Sequence, residues 1–72
     1  MKIVYTQHAK DRMLERGIKK EWIEEAIKNP DEIKKGRENK RIAVKSINKK
    51  KINVVYTIEN ESYIIITTYW EE

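Results

Sequence analysis

Apolar residues recur along this chain at two periods, and the change from one to the other divides it. The stretch Thr6 to Gly17 follows the helical period. Thr6 suits an N-cap, because its hydroxyl can accept from a free backbone N–H of the first turn. Gly17 suits the closing position, where a left-handed conformation is needed. Successive side chains step by about 100° around such a helix. His8, Arg12 and Glu15 therefore share one side with Arg16 at its edge, Ala9 and Met13 form the neighbouring flank, and Leu14 lies further round. A second helix is predicted over 20–28, where Trp22, Ile23, Ala26 and Ile27 make a buried stripe. Its cap is poor, since Lys19 brings no acceptor, and Asn29-Pro30 stops it.

Beyond Pro30 the period shortens to that of strands. The segment 31–40 is polar apart from Ile33 and reads as a loop with a weak strand around Glu32 to Lys34. Arg41 to Ile47, Lys51 to Ile58 and Ser62 to Trp70 read as strands, and Lys2 to Tyr5 as a brief strand before the first helix. Three-residue loops, with Ile47 opposite Lys51 and Glu59 opposite Tyr63, give the cleanest separation of faces. In that register Ile42, Val44, Ile52, Val54, Tyr56, Ile58, Ile64, Ile66 and Trp70 face the helices. Arg41, Lys45, Asn53, Thr57, Tyr63, Thr67 and Tyr69 lie on the opposite, open face, with Ala43, Val55 and Ile65. The expected fold is α+β, one domain over 1–72: two N-terminal helices packed on one face of a small antiparallel sheet of three to four strands.

Composition narrows the function. The chain has 72 residues, near the lower limit for a single self-sufficient core. It contains no cysteine and one histidine, which argues against disulfides and zinc, and neither a metal nor a cofactor is expected. With no long apolar run and no recognisable signal peptide, a cytoplasmic location is expected, with no membrane partner. Sixteen Lys and Arg against twelve Asp and Glu give a net charge of +4. The surplus is uneven: Lys34, Lys35, Arg37, Lys40 and Arg41 cluster, and Lys49 to Lys51 form a second group. Such clusters are either an ordinary solvated surface or a footprint for a polyanion. Tyrosines interleaved with cations favour single-stranded RNA, because bases stack on rings while phosphates meet Lys and Arg. The RNA-binding candidates are Arg41, Lys45, Tyr63, Arg37 and Lys40.

The run His8-Ala9, Arg12-Met13, Glu15-Arg16-Gly17-Ile18 resembles the opening of a family of small bacterial and archaeal proteins, whose last strand resembles Ile65-Ile66-Thr67-Thr68-Tyr69. That family is similar to the RelE-type toxin superfamily, which includes BrnT-like toxins, small ribonucleases that work without metal. The resemblance implies a RelE-like fold, RNA as substrate, an acidic antitoxin protein as partner, and a catalytic set of His8, Arg12, Arg16, Thr67 and Tyr69. Three positions depart from it: Lys19, usually Ser or Thr; Thr68, commonly aliphatic; and Trp70, commonly basic. The first bears on helix capping, and the last removes a phosphate contact. The implied reaction is RNA transesterification. A histidine moves protons near neutral pH, arginines clamp the phosphate, and Arg41 is a further candidate clamp. A non-catalytic nucleic-acid-binding or protein-interaction module on the same fold fits the residues too.

Overall fold

The computed structural model describes residues 1–72. The elements run β1 (Lys2–Tyr5), α1 (Gln7–Arg16), α2 (Lys20–Lys28), β2 (Glu32–Lys35), β3 (Arg41–Ile47), β4 (Lys50–Glu59) and β5 (Ser62–Trp70). The five strands form one mixed sheet in the order β1-β5-β4-β3-β2. Both helices form where the apolar period places them. The Thr6 hydroxyl accepts from the Ala9 N–H at 3.1 Å, Gly17 is left-handed at φ 62°, and Lys19 makes no side-chain cap.

Two parts of the expected sheet are corrected. It has five strands, because Glu32–Lys35 pairs along β3 although all four of its residues are exposed. It is also not wholly antiparallel. The short N-terminal strand lies parallel to β5, with Lys2 opposite Ser62 and Tyr5 opposite Ile65. A parallel neighbour needs a long crossover, and the two helices and three strands between β1 and β5 supply it.

The register is corrected as well. Ile47 opposes Lys50 and Glu59 opposes Ser62, so both hairpins have two-residue loops. Asn48 and Lys49 have φ 49° and 73°, and Asn60 and Glu61 have φ 49° and 59°. Positive φ at both central residues is the type I′ geometry, whose twist matches that of the strands. Shortening each loop by one residue moves every side chain of the affected strand to the other face. Ala43 accordingly faces the helices, and Ile42 and Val44 take the open face.

On β5 the shift is undone halfway. Tyr56 opposes Ile65 and Val55 opposes Thr67, which leaves Ile66 as the extra residue of a β-bulge. Before the bulge, Tyr63 and Ile65 point to the helices and Ile64 to the open face. After it, Thr67 and Tyr69 keep the open face expected of them, with Thr68 and Trp70 opposite.

The core is Ala9, Ile18, Ile23, Ala26, Ala43, Ile52, Val54, Tyr56 and Ile65, flanked by Met13, Trp22, Tyr63 and Trp70. Trp22 meets Trp70 edge to face at 5.6 Å, and Tyr56 meets Tyr63 in the same way at 5.6 Å. The helices thus cover one face, α1 over β5 and α2 over β3 and β4. No helix is long and apolar enough to cross a membrane.

With β3 turned over, the open face holds neither Arg41 nor Lys45. It balances Lys2, Lys34 and Lys51 against Glu32, Glu59 and Glu71. Asn53 Nδ2 donates to Glu71 Oε1 at 3.2 Å, and Lys34 Nζ lies 3.7 Å from that oxygen. On the face crossed by this bridge, Val44 and Asn53 are buried.

Candidate nucleic-acid site at the seam of α1 and β5

β1 ends opposite Ile65, and the chain turns directly into α1. The remaining edge of β5, from the bulge to Trp70, is therefore lined by a helix instead of a strand. Thr6 makes the junction. Its backbone N–H donates to the Ile65 carbonyl at 3.2 Å, and its hydroxyl is directed at the carbonyls of Ile65, 2.9 Å, and Ile66, 3.2 Å. One residue thus caps the helix and ties it to the bulge. The sequence marked Thr6 only as a cap, and nothing in it signals the second role.

At the other end the helix is tied twice more. Arg16 Nη1 donates to the Thr68 carbonyl at 2.8 Å, and Trp70 Nε1 donates to the Arg16 carbonyl at 2.9 Å. Trp70, where the resembling family has a basic residue, here locks the helix C-terminus to the strand. Thr68 is fully buried, and its hydroxyl donates to the Asn53 carbonyl at 2.8 Å, so the departure from an aliphatic residue leaves no polar group unpaired.

Arg16 fixes the direction of the charged side of α1. Residues 8, 12 and 16 lie four apart, so each is displaced by about 40° from the last and they form a row along one side of α1. Arg12, half-buried, donates from Nη1 to Glu15 Oε2 at 2.6 Å. His8, in the first turn, is exposed. The row spans eight residues, about 12 Å of helix. Arg16 and Tyr69 line one depression of about 550 Å³ with Trp70, Glu71 and Glu72. Of the expected set, Arg16 and Tyr69 share one depression; His8 stands exposed in the first turn of α1, Arg12 pairs with Glu15, and Thr67 lies on the face of the sheet opposite the helices. A guanidinium has five donors, so one bond each leaves Arg12 and Arg16 able to take a phosphate.

The other candidates gather elsewhere. Arg41 is exposed at the start of β3, opposite Tyr56, and Arg37 is exposed in the β2–β3 connection. Lys40 Nζ lies 3.1 Å from Glu38. Lys35, Lys40 and Arg41 line a second depression, about 430 Å³, with Glu38, Tyr56, Thr57 and Glu59. β3 is two strands from β5, about 10 Å, so Arg41 stands apart from the strand that carries Thr67 and Tyr69. Lys45 lies on the helix face, 3.4 Å from Asp31 Oδ1. Tyr63 packs on Tyr56 and does not serve as an open-face stacking ring; Tyr69, 36% exposed, is the tyrosine presented there.

Three groups have shifted acidities. A hydrogen bond from the Ser46 N–H, 2.8 Å, and the nearby Lys45 hold Asp31 below the usual carboxylate range. The Asn53 amide, with Lys34 and Lys51, does the same for Glu71. Burial, helped by Glu24, pushes the Tyr5 hydroxyl up to about 12, and that hydroxyl has no hydrogen-bond partner. No three His, Cys, Asp or Glu side chains cluster as metal ligands.

The family model described as "Domain of unknown function (DUF4258)" matches residues 5–70, and the chain belongs to that family. No curated protein and no solved structure matches it.

Proposed function

We propose that this chain is an RNA-binding domain of RelE-like fold that cleaves RNA without metal, as the toxin of a toxin–antitoxin pair. The observation that carries the reading is the seam. A histidine, two arginines, a threonine and a tyrosine, named by the family resemblance, belong to the two elements that Thr6, Arg16 and Trp70 tie together. His8 takes the proton of the ribose 2′-hydroxyl. The freed oxygen attacks the adjacent phosphorus, the bond to the 5′-oxygen breaks, and that oxygen receives a proton, leaving a 2′,3′-cyclic phosphate and a 5′-hydroxyl. Arg12 and Arg16 hold the phosphate and offset the charge that builds on it. Thr67 and Tyr69 position the substrate on the open-face side. Lys40, Arg37 and Arg41 hold the flanking RNA by charge alone.

The test is incubation of the protein, in large excess, with total RNA in EDTA, followed by end-group analysis. Cleavage leaving cyclic phosphates, reduced at least a hundredfold in His8→Ala, is the expected result. Intact RNA, or equal cleavage by both proteins, overturns the nuclease reading. One observation favours the alternative of a non-catalytic nucleic-acid-binding module: Arg12 and Arg16 are already partnered within the chain. Salt-dependent binding with no cleavage is that module's signature.

A further inference from the structure

The flank of α1 turned away from the seam carries an apolar surface that the reaction does not use. Leu14 is 86% exposed, more than any other large hydrophobic residue of the chain. It borders a depression of about 460 Å³ with Met13, Gly17 and Ile18, between Lys10 and Lys19. Ile18 is buried and forms the floor. A Cβ at Gly17 would meet nothing within 4 Å, so the hollow is open above that residue. A single exposed leucine needs no explanation. An exposed leucine beside a built hollow with a cationic rim does.

We propose that this hollow docks an acidic amphipathic helix of a partner protein, with an aliphatic side chain seated against Leu14, Met13 and Ile18 and carboxylates on Lys10 and Lys19. The charge on the rim argues for it. The helix's own carboxylates are engaged elsewhere, Glu15 with Arg12 and Asp11 with Gln7, so both lysines face solvent uncompensated. Lys19 lies 5.4 Å over the Trp22 ring, which steadies one side of the rim. A second copy of this chain seated here about a twofold axis would set the same lysines against each other. RNA would gain nothing from an aliphatic hollow. An amphipathic helix with apolar anchors and acidic flanks satisfies both features. The inference deepens the toxin reading and rests on it for the partner's role as antitoxin. It also leaves the His8 row uncovered, so the partner would not block the seam directly.

The experiment titrates the isotopically labelled full chain with a synthetic helical peptide of about 15 residues. The peptide carries leucines at i, i+4 and i+7 flanked by glutamates, and a control peptide carries lysines in place of the glutamates. Amide shifts are expected to saturate around Lys10, Leu14 and Gly17 to Lys19 with the acidic peptide only. Leu14→Asp, a change at an exposed site, is expected to weaken binding at least tenfold, about 1.4 kcal/mol. A variant carrying both Lys10→Glu and Lys19→Glu is expected to bind the lysine control peptide instead. Absence of saturable shifts, shifts centred on the β2–β3 hairpin, or Leu14-dependent self-association in the ultracentrifuge each overturn the proposal. RNA cleavage in EDTA is read on the same Leu14→Asp sample and is expected to be unchanged, so loss of docking and loss of nuclease activity are told apart.

Discussion

The seam of α1 with β5 and the hairpin of β2 with β3 both carry cations, by opposite means. The hairpin concentrates charge, with Lys34, Lys35, Arg37, Lys40 and Arg41 in eight positions, and every residue of its strand β2 is exposed. The seam has fewer cations, but they sit on a helix tied to β5 through the side chains of Thr6, Arg16 and Trp70. Counting charges points to the hairpin, whereas positioning points to the seam. A field attracts a polyanion from either place, but chemistry on one phosphate needs a fixed geometry, and the contacts that hold a helix against a strand supply it.

Truncation beneath each region gives the largest expected contrast. Ile65→Ala, at a fully buried site under the seam, should cost about 2–5 kcal/mol in urea unfolding. Ile33→Ala, at a β2 residue 52% exposed, should stay within about 0.5 kcal/mol. Equal losses would mean that the two edges are equally anchored, and the contrast would fail.

Arginine changes come next. Arg16→Ala removes the bond to the Thr68 carbonyl and should cost about 1 kcal/mol of stability, while Arg37→Ala should cost almost nothing. In RNA binding both variants should lower the salt slope by about one unit. A destabilised Arg37→Ala with an unaffected Arg16→Ala would reverse the assignment.

How much of this was legible follows from the range of each determinant. The helices, their caps and the weak cap at Lys19 are local matters, and the sequence displays them. The faces of the sheet hang on loop length. Three-residue loops give the cleaner separation of apolar and polar faces, and Asn48-Lys49 and Asn60-Glu61 lack the glycine that usually announces a type I′ turn. That one-residue error turned β3 over, and with it Arg41, Lys45 and Ala43. On β5 the bulge at Ile66 restored Thr67 and Tyr69 to the expected face but not Tyr63. A bulge depends on both partner strands and on the Thr6 junction, and no local pattern encodes it. The parallel pairing of β1 was hidden for a similar reason: four residues carry a strand's composition but not its direction.

Acid and alkali should separate the regions by sign. Asp31, beside the hairpin, has a folded pKa below its unfolded value, so its contribution is full above the usual carboxylate range and fades as pH falls through the lowered folded pKa. Tyr5, where β1 leads into the seam, has the reverse shift. Its folded pKa is raised to about 12, so stability holds below about pH 10 and declines as pH climbs from there through the folded value. Asp31→Asn should flatten the acid limb of a melting-temperature profile and leave the alkaline limb alone. Tyr5→Phe should do the opposite, and it also removes a buried hydroxyl that has no partner.

The smallest effect tests the turns on which the faces depend. Lys49 at φ 73° and Glu61 at φ 59° hold a left-handed conformation that a side chain with a Cβ adopts at a cost of about 1–2 kcal/mol. Glycine adopts it freely but loses more backbone entropy on folding, which cancels part of the gain. Lys49→Gly and Glu61→Gly should therefore each raise stability by about 0.5–1 kcal/mol, because Asn-Gly is the favoured type I′ pair. Glu61→Gly acts on the β4–β5 hairpin, whose register sets where Ile66 bulges, and Lys49→Gly acts on the hairpin that orients Arg41. If either substitution lowers stability, the turn at that site is not the two-residue one. The strand beyond it would then present its other face, and the hairpin's cations or the tyrosine of the seam would move with it.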